Sequence, residues 1–208
     1  MKHALSRLAI LMTLVIAGCS SGDRAVVGAD GIDGKFSAIV HLTPHSLEQV
    51  HIDLYEDFTC PACQRLEADG LPEIEREFGQ RIIIRRHYLA GPGTAPAAKI
   101  LYDVANDKDL GPAVADALFA ATLKHGDDAA NLPIIRAIAE QHGLEEVFEE
   151  AYGGMSGKTR IKAEWDAANG KIAYFPFVVF ENDIAASADA ENIAMILRSL
   201  LKPANATR

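Results

Sequence analysis

The feature that most constrains this chain is a pair of cysteines, Cys60 and Cys63, that directly follows a hydrophobic segment. Residues 50–55 have the apolar and β-branched content of a strand, and Cys60-Pro61-Ala62-Cys63 is typical of the start of a helix. At that position, unpaired backbone N–H groups and the positive end of the helix dipole stabilise a thiolate. The pattern therefore predicts that Cys60 is the reactive sulfur and that a disulfide to Cys63 can close across one turn.

Zinc binding is the main alternative use of two cysteines at this spacing. A closed structural zinc site needs four ligands, and the chain has three cysteines in all, without a second pair. His41 and His45 have a possible ligand spacing, but they precede the pair in a separate segment and bracket a proline. We therefore expect redox chemistry at Cys60 and Cys63 and no metal site.

The first 18 residues have the composition of an export signal. Lys2 and Arg7 precede an apolar run over residues 8–17, which is too short to span a bilayer and is typical of a signal peptide. The run ends at Ala17-Gly18-Cys19, which resembles the lipobox of bacterial lipoproteins and implies acylation of Cys19. An ordinary signal peptide that is cleaved near a cysteine is the alternative. Outer-membrane sorting is implied because Ser20, and not Asp, follows.

The expected periplasmic location and the negative net charge exclude some classes of function. With Cys19 acylated, Cys60 and Cys63 are an isolated pair in an oxidising periplasm, where a bridge that closes four residues constrains the unfolded chain little. A catalytic role is therefore expected. The signal holds two of the 20 Lys and Arg residues and none of the 29 Asp and Glu residues, so its removal takes the net charge from −9 to −11. This charge argues against nucleic acid and against a basic membrane-binding face.

The remaining chain divides into a tether, two α/β segments and a helical insertion. Residues 19–35 are rich in Gly, Asp and Ser and are expected to be a flexible tether. Residues 36–92 are expected to contain strands at 36–42, 50–55 and 81–89, with residues 82–84 as a buried centre. The helix that starts at Cys60 should break near Gly70 and Pro72 and end at Gly79, which gives a right-handed βαβ unit.

Residues 93–170 lack strand patterns and show apolar side chains at helical spacing. Five helices are predicted, within 97–104, 114–121, 131–143, 144–148 and 161–168, and their apolar stripes are interpreted as core. Strand character returns in residues 171–208. A strand should begin at Pro176, because proline cannot donate to a ladder from its middle. Asn182-Asp183 then predicts a hairpin turn to a strand at 184–187, followed by a helix at 190–201.

This order of elements resembles the thioredoxin superfamily, specifically its DsbA-like branch. The likeness covers roughly residues 36–202. It rests on Asp57-Phe58-Thr59-Cys60-Pro61-Ala62-Cys63, on Tyr174-Phe175-Pro176-Phe177-Val178-Val179-Phe180 and on the helical block between them. The resemblance implies an α/β fold, namely a thioredoxin fold with an inserted all-helical subdomain.

The resemblance also implies roles for individual residues. Cys60 would form mixed disulfides with substrates and Cys63 would resolve them. The Phe175–Pro176 bond would be cis. The substrate groove would be lined by Phe175 and Pro176, together with Pro61 and Ala62 between the two cysteines.

Two departures from the family pattern affect the expected chemistry. Many relatives carry a buried acid six residues before the first cysteine, where this chain has Leu54. Glu56 lies on the same strand face and could replace that acid in proton transfer, or it could be a solvated carboxylate at the strand end. Strong oxidants of the family have Pro-His between the cysteines, whereas Ala62 adds no positive charge. A milder oxidant is therefore expected.

Together these observations predict a monomeric, cofactor-free thiol–disulfide oxidoreductase on the periplasmic side of a bacterial membrane. It would introduce disulfides into exported proteins, and the resemblance implies a quinone-linked membrane oxidase or an electron donor as its redox partner. A disulfide reductase or isomerase of the same fold is an alternative, because direction and clients are not encoded in the pattern. A non-catalytic lipoprotein that binds peptides or Cu(I) is the alternative from another class.

Overall fold

A mixed six-stranded sheet organises the chain. The structure is a computed structural model that describes residues 26–27, 31–38, 43–91, 96–168, 172 and 174–203. The strands are β1 Val26–Val27, β2 Lys35–Ala38, β3 Val50–Glu56, β4 Ile82–Tyr88, β5 Phe177–Phe180 and β6 Ile184–Ser187. Their order across the sheet is β1-β2-β6-β5-β3-β4.

Strand β3 lies inside the sheet and leads to the cysteines. It pairs in parallel with β4 and antiparallel with β5, which confirms the predicted βαβ unit. Because side chains alternate along a strand, Val50, Ile52 and Leu54 point to one face. They pack there against α2 Leu71–Phe78 and the C-terminal helix α8 Ala190–Leu200 in a first core.

The helix that begins after Cys60 has three parts. Helix α1 spans Pro61–Arg65, a π-helical segment spans Leu66–Gly70, and α2 follows directly. The predicted break near Gly70 is thus a change in helical hydrogen bonding rather than a gap. Gly79 ends α2 with a φ of 54°, in the left-handed region that suits glycine.

The helical insertion has the five predicted helices. They are α3 Ala97–Asn106, α4 Gly111–His125, α5 Leu132–Gln141, α6 Glu145–Gly153 and α7 Ser156–Ala168. Their apolar faces form a second core, which also takes in Phe58, Cys63 and Tyr88 from the sheet side. The cysteine pair therefore lies where the two cores meet.

The C-terminal segment follows its prediction closely. Strand β5 begins directly after Pro176, and positive φ values at Glu181 and Asn182 turn the chain into β6. Asp189 is the N-cap residue of α8, and its side chain accepts a hydrogen bond from the Asn192 N–H at 2.9 Å. Among the described residues, none of the helices has the length and apolar character needed to cross a membrane.

Two boundaries differ from the sequence expectations. The tether expected over residues 19–35 ends earlier, because β1 pairs with β2 and Ile32, which is 3% exposed, packs in the first core. Ile83 is 39% exposed although residues 82–84 were expected to be buried, because β4 is an edge strand and Ile83 points away from that core. Cys19 and residues 1–18 lie outside the described residues.

Candidate active site

Cys60 occupies the N-cap position of α1. Its backbone is extended, with φ −90° and ψ 112°, and its Sγ accepts the N–H of Cys63 at 3.2 Å. Pro61 fills the first helical position, where no backbone N–H is needed. A sulfur thus takes the capping role that an oxygen usually has, and it lies half-buried at the positive end of the helix.

This position makes Cys60 acidic. Hydrogen bonds from the Cys63 thiol and from the backbone N–H groups of Cys63 and Ala62 lower the pKa of Cys60 from 9.0 to about 6. Partial burial and the nearby Asp57 carboxylate act in the opposite direction. At pH 7 Cys60 is therefore mainly a thiolate, the form that attacks and leaves in disulfide exchange.

Cys63 has the opposite character. Its side chain is fully buried, and burial raises its pKa well above the ordinary value, as does its hydrogen bond to Cys60. It is therefore a protonated thiol at pH 7. Both cysteines are free in this structure.

Glu56 lies beneath the cysteines at the end of β3. It is 0% exposed, and neither carboxyl oxygen has a hydrogen-bond partner among the described residues. Burial, followed by the negative charge of Glu67, raises its pKa from 4.5 to about 10. The solvated alternative for Glu56 is therefore wrong, since the residue is a buried, neutral acid at pH 7 that interacts electrostatically with Cys60 and Cys63.

An ion pair lies next to Glu56 that sequence reasoning did not identify. Arg86 on β4 donates from Nε to Glu67 Oε1 at 2.7 Å, and its Nη2 also lies 3.5 Å from Glu75 Oε1. The sequence does show a charged residue, Arg86, in a strand with an apolar centre. It does not show that the partners of Arg86 are Glu67 and Glu75, which lie on the helical segments after Cys60. Leu54, at the position where many relatives carry the acid, is 1% exposed and packs in the first core.

Asp57 is a second residue that the sequence analysis missed. It is buried, and its Oδ1 accepts hydrogen bonds from the Thr59 N–H at 2.8 Å and the Thr59 hydroxyl at 2.7 Å. Its Oδ2 accepts the N–H of Gly91 at 3.3 Å. The sequence Asp57-Phe58-Thr59 could have indicated this turn, because Asp side chains in tight turns accept a hydrogen bond from the backbone N–H two residues later. Asp57 thus fixes the turn that leads to Cys60.

Four aromatic rings attach this turn to the helical insertion. They pack in tilted and edge-to-face pairs with ring centroids 4.4–5.8 Å apart and are Phe58, Tyr88, Tyr102 and Phe119. The hydroxyl of Thr122 on α4 donates to the Phe58 carbonyl at 2.5 Å. The insertion therefore supports the backbone two residues before Cys60.

A groove of about 510 Å³ runs beside the pair, between the start of the active-site helix and the segment before β5. Ala62, Phe175 and Pro176 line it, and the Phe175–Pro176 bond is cis, as expected. Pro61 is exposed and is not among the lining residues. Trp165 on α7 contacts the Phe175 ring edge-on at 6.3 Å, so the insertion also bounds this side of the site.

Metal binding was the alternative role for the two thiols. Within the described ranges, no group of three or more His, Cys, Asp and Glu side chains is placed to hold a metal ion. His41 lies outside the described residues, and Nδ1 of His45 lies 3.2 Å from the Leu201 carbonyl oxygen at the end of α8.

Comparison with solved structures identifies DsbA proteins as structural neighbours. The chain is similar to Pseudomonas aeruginosa DsbA, with a TM-score of 0.58 and 14% identity over 80% of this chain and 90% of that chain. It is also similar to alpha-DsbA1 of Wolbachia pipientis, with a TM-score of 0.58 and 13% identity over 76% of this chain and 91% of that chain. For the oxidoreductase NmDsbA1 of N. meningitidis, the TM-score is 0.56 and the identity is 15% over 83% of this chain and 93% of that chain.

These likenesses establish the fold. The chain has a thioredoxin fold with an inserted all-helical subdomain, which confirms the predicted fold class. The sequence matches no family model, and a search of curated proteins found no match.

Proposed function

We propose that this protein is a thiol–disulfide oxidoreductase that acts on exported proteins through Cys60 and Cys63. The observation that carries the proposal is the contrast between a half-buried Cys60 with a pKa of about 6 and a fully buried Cys63 thiol. Such a contrast supports Cys60 as the nucleophile and Cys63 as the resolving group. The DsbA-like fold supports the same reaction, because one of its structural neighbours is described as a disulfide interchange protein.

In the oxidising direction, the Cys60–Cys63 disulfide accepts two electrons. A substrate thiolate attacks Sγ of Cys60, the bond to Cys63 breaks, and Cys63 leaves as a thiolate that takes up a proton. A second substrate thiolate then attacks the substrate sulfur of this mixed disulfide and releases Cys60 as a thiolate. The substrate gains a disulfide, and the low pKa of Cys60 favours this reduced product.

Glu56 is the proton donor for Cys63 in this scheme. Cys63 is fully buried, so bulk water does not reach it, whereas Glu56 is a neutral acid that interacts electrostatically with it. In the reverse direction Glu56 first releases its own proton to solvent, and the resulting carboxylate then accepts the proton of the Cys63 thiol. Glu67, whose side chain is 18% exposed and interacts with Glu56, connects the buried acid to solvent.

A disulfide reductase is the second candidate for the same site. The observation that favours it is the moderate pKa of Cys60, since Ala62 supplies a backbone donor but no charge. A pKa of about 6 lies between about 3.5 for a strong oxidant and about 7 for thioredoxin. The recycling partner is a quinone-linked membrane oxidase for the oxidant and a membrane electron donor for the reductant.

We also propose that the protein is exported and acylated at Cys19, which places it on the periplasmic side of the outer membrane. The support is the apolar run of residues 8–17 followed by Ala17-Gly18-Cys19-Ser20. Metabolic labelling with a tritiated fatty acid should mark the wild-type protein and not Cys19→Ala. Label on both proteins would contradict the assignment.

The equilibrium reduction potential against glutathione tests the function and its direction together. A value near −120 mV would identify an oxidant, and a value near about −270 mV a reductant. In cells, Cys63→Ala should accumulate mixed disulfides on Cys60, because the resolving thiol is missing. If Cys60 and Cys63 form no disulfide at any glutathione ratio, the proposal is wrong and peptide or Cu(I) binding replaces it.

A further inference from the structure

The groove beside the cysteine pair combines an apolar floor with an acidic rim. Leu66, Tyr174, Phe175 and Ala188 are among the residues that give the floor its apolar character. Three carboxylates and one guanidinium also line the groove, from Asp69, Glu73, Asp189 and Arg65. The lining therefore has a net negative charge, although its floor suits apolar side chains.

The acids on the active-site helix differ in whether they are neutralised. Those that point away from the groove are paired, since Glu67 and Glu75 contact Arg86 and Glu77 contacts Arg198. Asp69 and Glu73, which line the groove, are exposed and contact no cation within the described part of the chain. The acids of this helix that form no ion pair thus lie along the groove, where Arg65 offsets part of their charge.

The positions of these acids define where a bound peptide would meet them. Asp69 and Glu73 come nine and thirteen residues after Cys60, which at about 1.5 Å per helical residue is roughly 14 and 20 Å. An extended chain advances about 3.3 Å per residue. A substrate whose cysteine reacts at Cys60 therefore brings residues about four to six positions away to the acidic rim.

We propose that the groove selects extended segments that carry a lysine or arginine about four to six residues from the reacting cysteine. The inference rests on the proposed oxidoreductase function and names its preferred substrate class, reduced exported chains that are basic next to their cysteines. Apolar residues between the cysteine and the cation fit the floor, and the cation pairs with Asp69 or Glu73. Because the rim is exposed, the preference acts mainly on the association rate and weakens with salt.

The test uses the oxidised full-length protein and three two-cysteine peptides. The peptides are identical except for Lys, Gln or Glu at positions four and six on both sides of the reacting cysteine. We expect the Lys peptide to reduce the protein about five- to tenfold faster than the Glu peptide at low ionic strength, with Gln between them. About 0.5 M salt should remove most of the difference.

Charge variants separate the groove from net charge. Asp69→Lys/Glu73→Lys should reverse the order of the Lys and Glu peptides, and the milder Asp69→Asn/Glu73→Gln should abolish the preference. Glu140→Lys/Glu150→Lys makes the same change in net charge at exposed positions outside the groove, and it should keep the wild-type order. Equal rates for the three peptides, or the same reversal in this control, would overturn the inference.

A small thiol distinguishes this inference from the function on which it rests. Dithiothreitol makes no contacts along the groove, so wild-type protein should be reduced by it whatever the peptide preference. If dithiothreitol does not reduce a Cys60–Cys63 disulfide, the proposed function fails. If it does while the peptides react equally, only the substrate preference fails.

Discussion

Single residues set the chemistry of the site, and Cys60 shows how. Its largest stabilising contact is the hydrogen bond from the Cys63 thiol, with backbone N–H groups of Cys63 and Ala62 as further donors. Burial and Asp57 oppose them. Cys63, the proposed resolving residue, thus also donates a hydrogen bond to the thiolate, so its removal should change the acidity of Cys60.

We expect Cys63→Ala to raise the pKa of Cys60 from about 6 by on the order of one unit, because the thiol donor is lost and the backbone donors remain. Absorbance of the thiolate at 240 nm, followed from pH 4 to 10, gives the midpoint. Cys60→Ala is the control and should show no transition below pH 8. An unchanged midpoint in Cys63→Ala would mean that the helix N-terminus alone sets the acidity.

Glu56 should lower the stability of the protein at neutral pH. Its pKa is about 10 in the folded protein, against the ordinary value of 4.5 that applies to the unfolded chain. Its favourable contribution to the free energy of unfolding is therefore complete below pH 4.5 and is lost as the pH rises towards 10. At pH 7, which is about 2.5 units above 4.5, Glu56→Gln should raise the free energy of unfolding by roughly 3 kcal/mol. Near pH 4 it should raise it little.

Urea unfolding of the reduced protein at pH 4, 7 and 9 measures this difference. The exposed Glu145→Gln provides a matched control, for which we expect no trend with pH. A gain for Glu56→Gln that is the same at all three pH values would contradict a neutral Glu56 and point to altered packing instead.

At the scale of elements, the active-site helix depends on a close approach to α8. Gly70 ends the π-helical segment with an ordinary helical φ of −75°, so its backbone would accept alanine. A Cβ at this position, however, would lie 2.9 Å from Leu66 Cδ1 and 3.1 Å from Ala190 Cβ. Packing against Ala190, and not a conformational requirement, explains the glycine.

Gly70→Ala should therefore lower the free energy of unfolding by about 1–2 kcal/mol, because the buried Leu66 and the partly buried Ala190 must move. In an uncrowded helix the same change stabilises by up to about 1 kcal/mol. Gly153→Ala, at the end of α6 with no atom within 4 Å of the added Cβ, is the matched control. Thermal or urea unfolding compares the two variants. If both substitutions stabilise the protein, α8 can move away from the added methyl group at position 70 without loss of stability.

The sequence predicted those elements whose signals are local. Apolar periodicity indicated β3 and the five helices of the insertion, and Gly70 with Pro72 indicated a break in the active-site helix. Ile32 packs in the core because distant segments contact it, and Ile83 is exposed because β4 lies at the edge of the sheet. The local sequence does not reveal either arrangement. For the same reason the strand face of Glu56 could be predicted, whereas its burial and the Glu67–Arg86 pair could not.

At the scale of the whole molecule, a buried ion cluster connects the first and last helices of the insertion. Lys99 on α3 is 4% exposed and contacts Asp103 on its own helix and Glu164 on α7 at 2.5 Å. Arg160 adds a longer contact to Asp103 Oδ2 at 3.7 Å. Helix α7 also bears Trp165, which packs on Phe175 of the groove. The cluster therefore holds in place the helix that packs against Phe175 in the wall of the groove.

Lys99→Met should lower the free energy of unfolding by about 3–5 kcal/mol, because it leaves Asp103 buried without its nearest cation. Lys162→Met on α7 breaks an exposed pair with Asp166 and should have no measurable effect. The double variant Lys99→Met/Asp103→Leu should regain much of the loss, since an apolar pair of similar size avoids the cost of burying a lone charge. Urea unfolding of the three variants tests this. Equal destabilisation by the single and double variants would show instead that Lys99 acts through its contact with Glu164, and that the attachment of α7 to α3, rather than a buried charge, supports this side of the molecule.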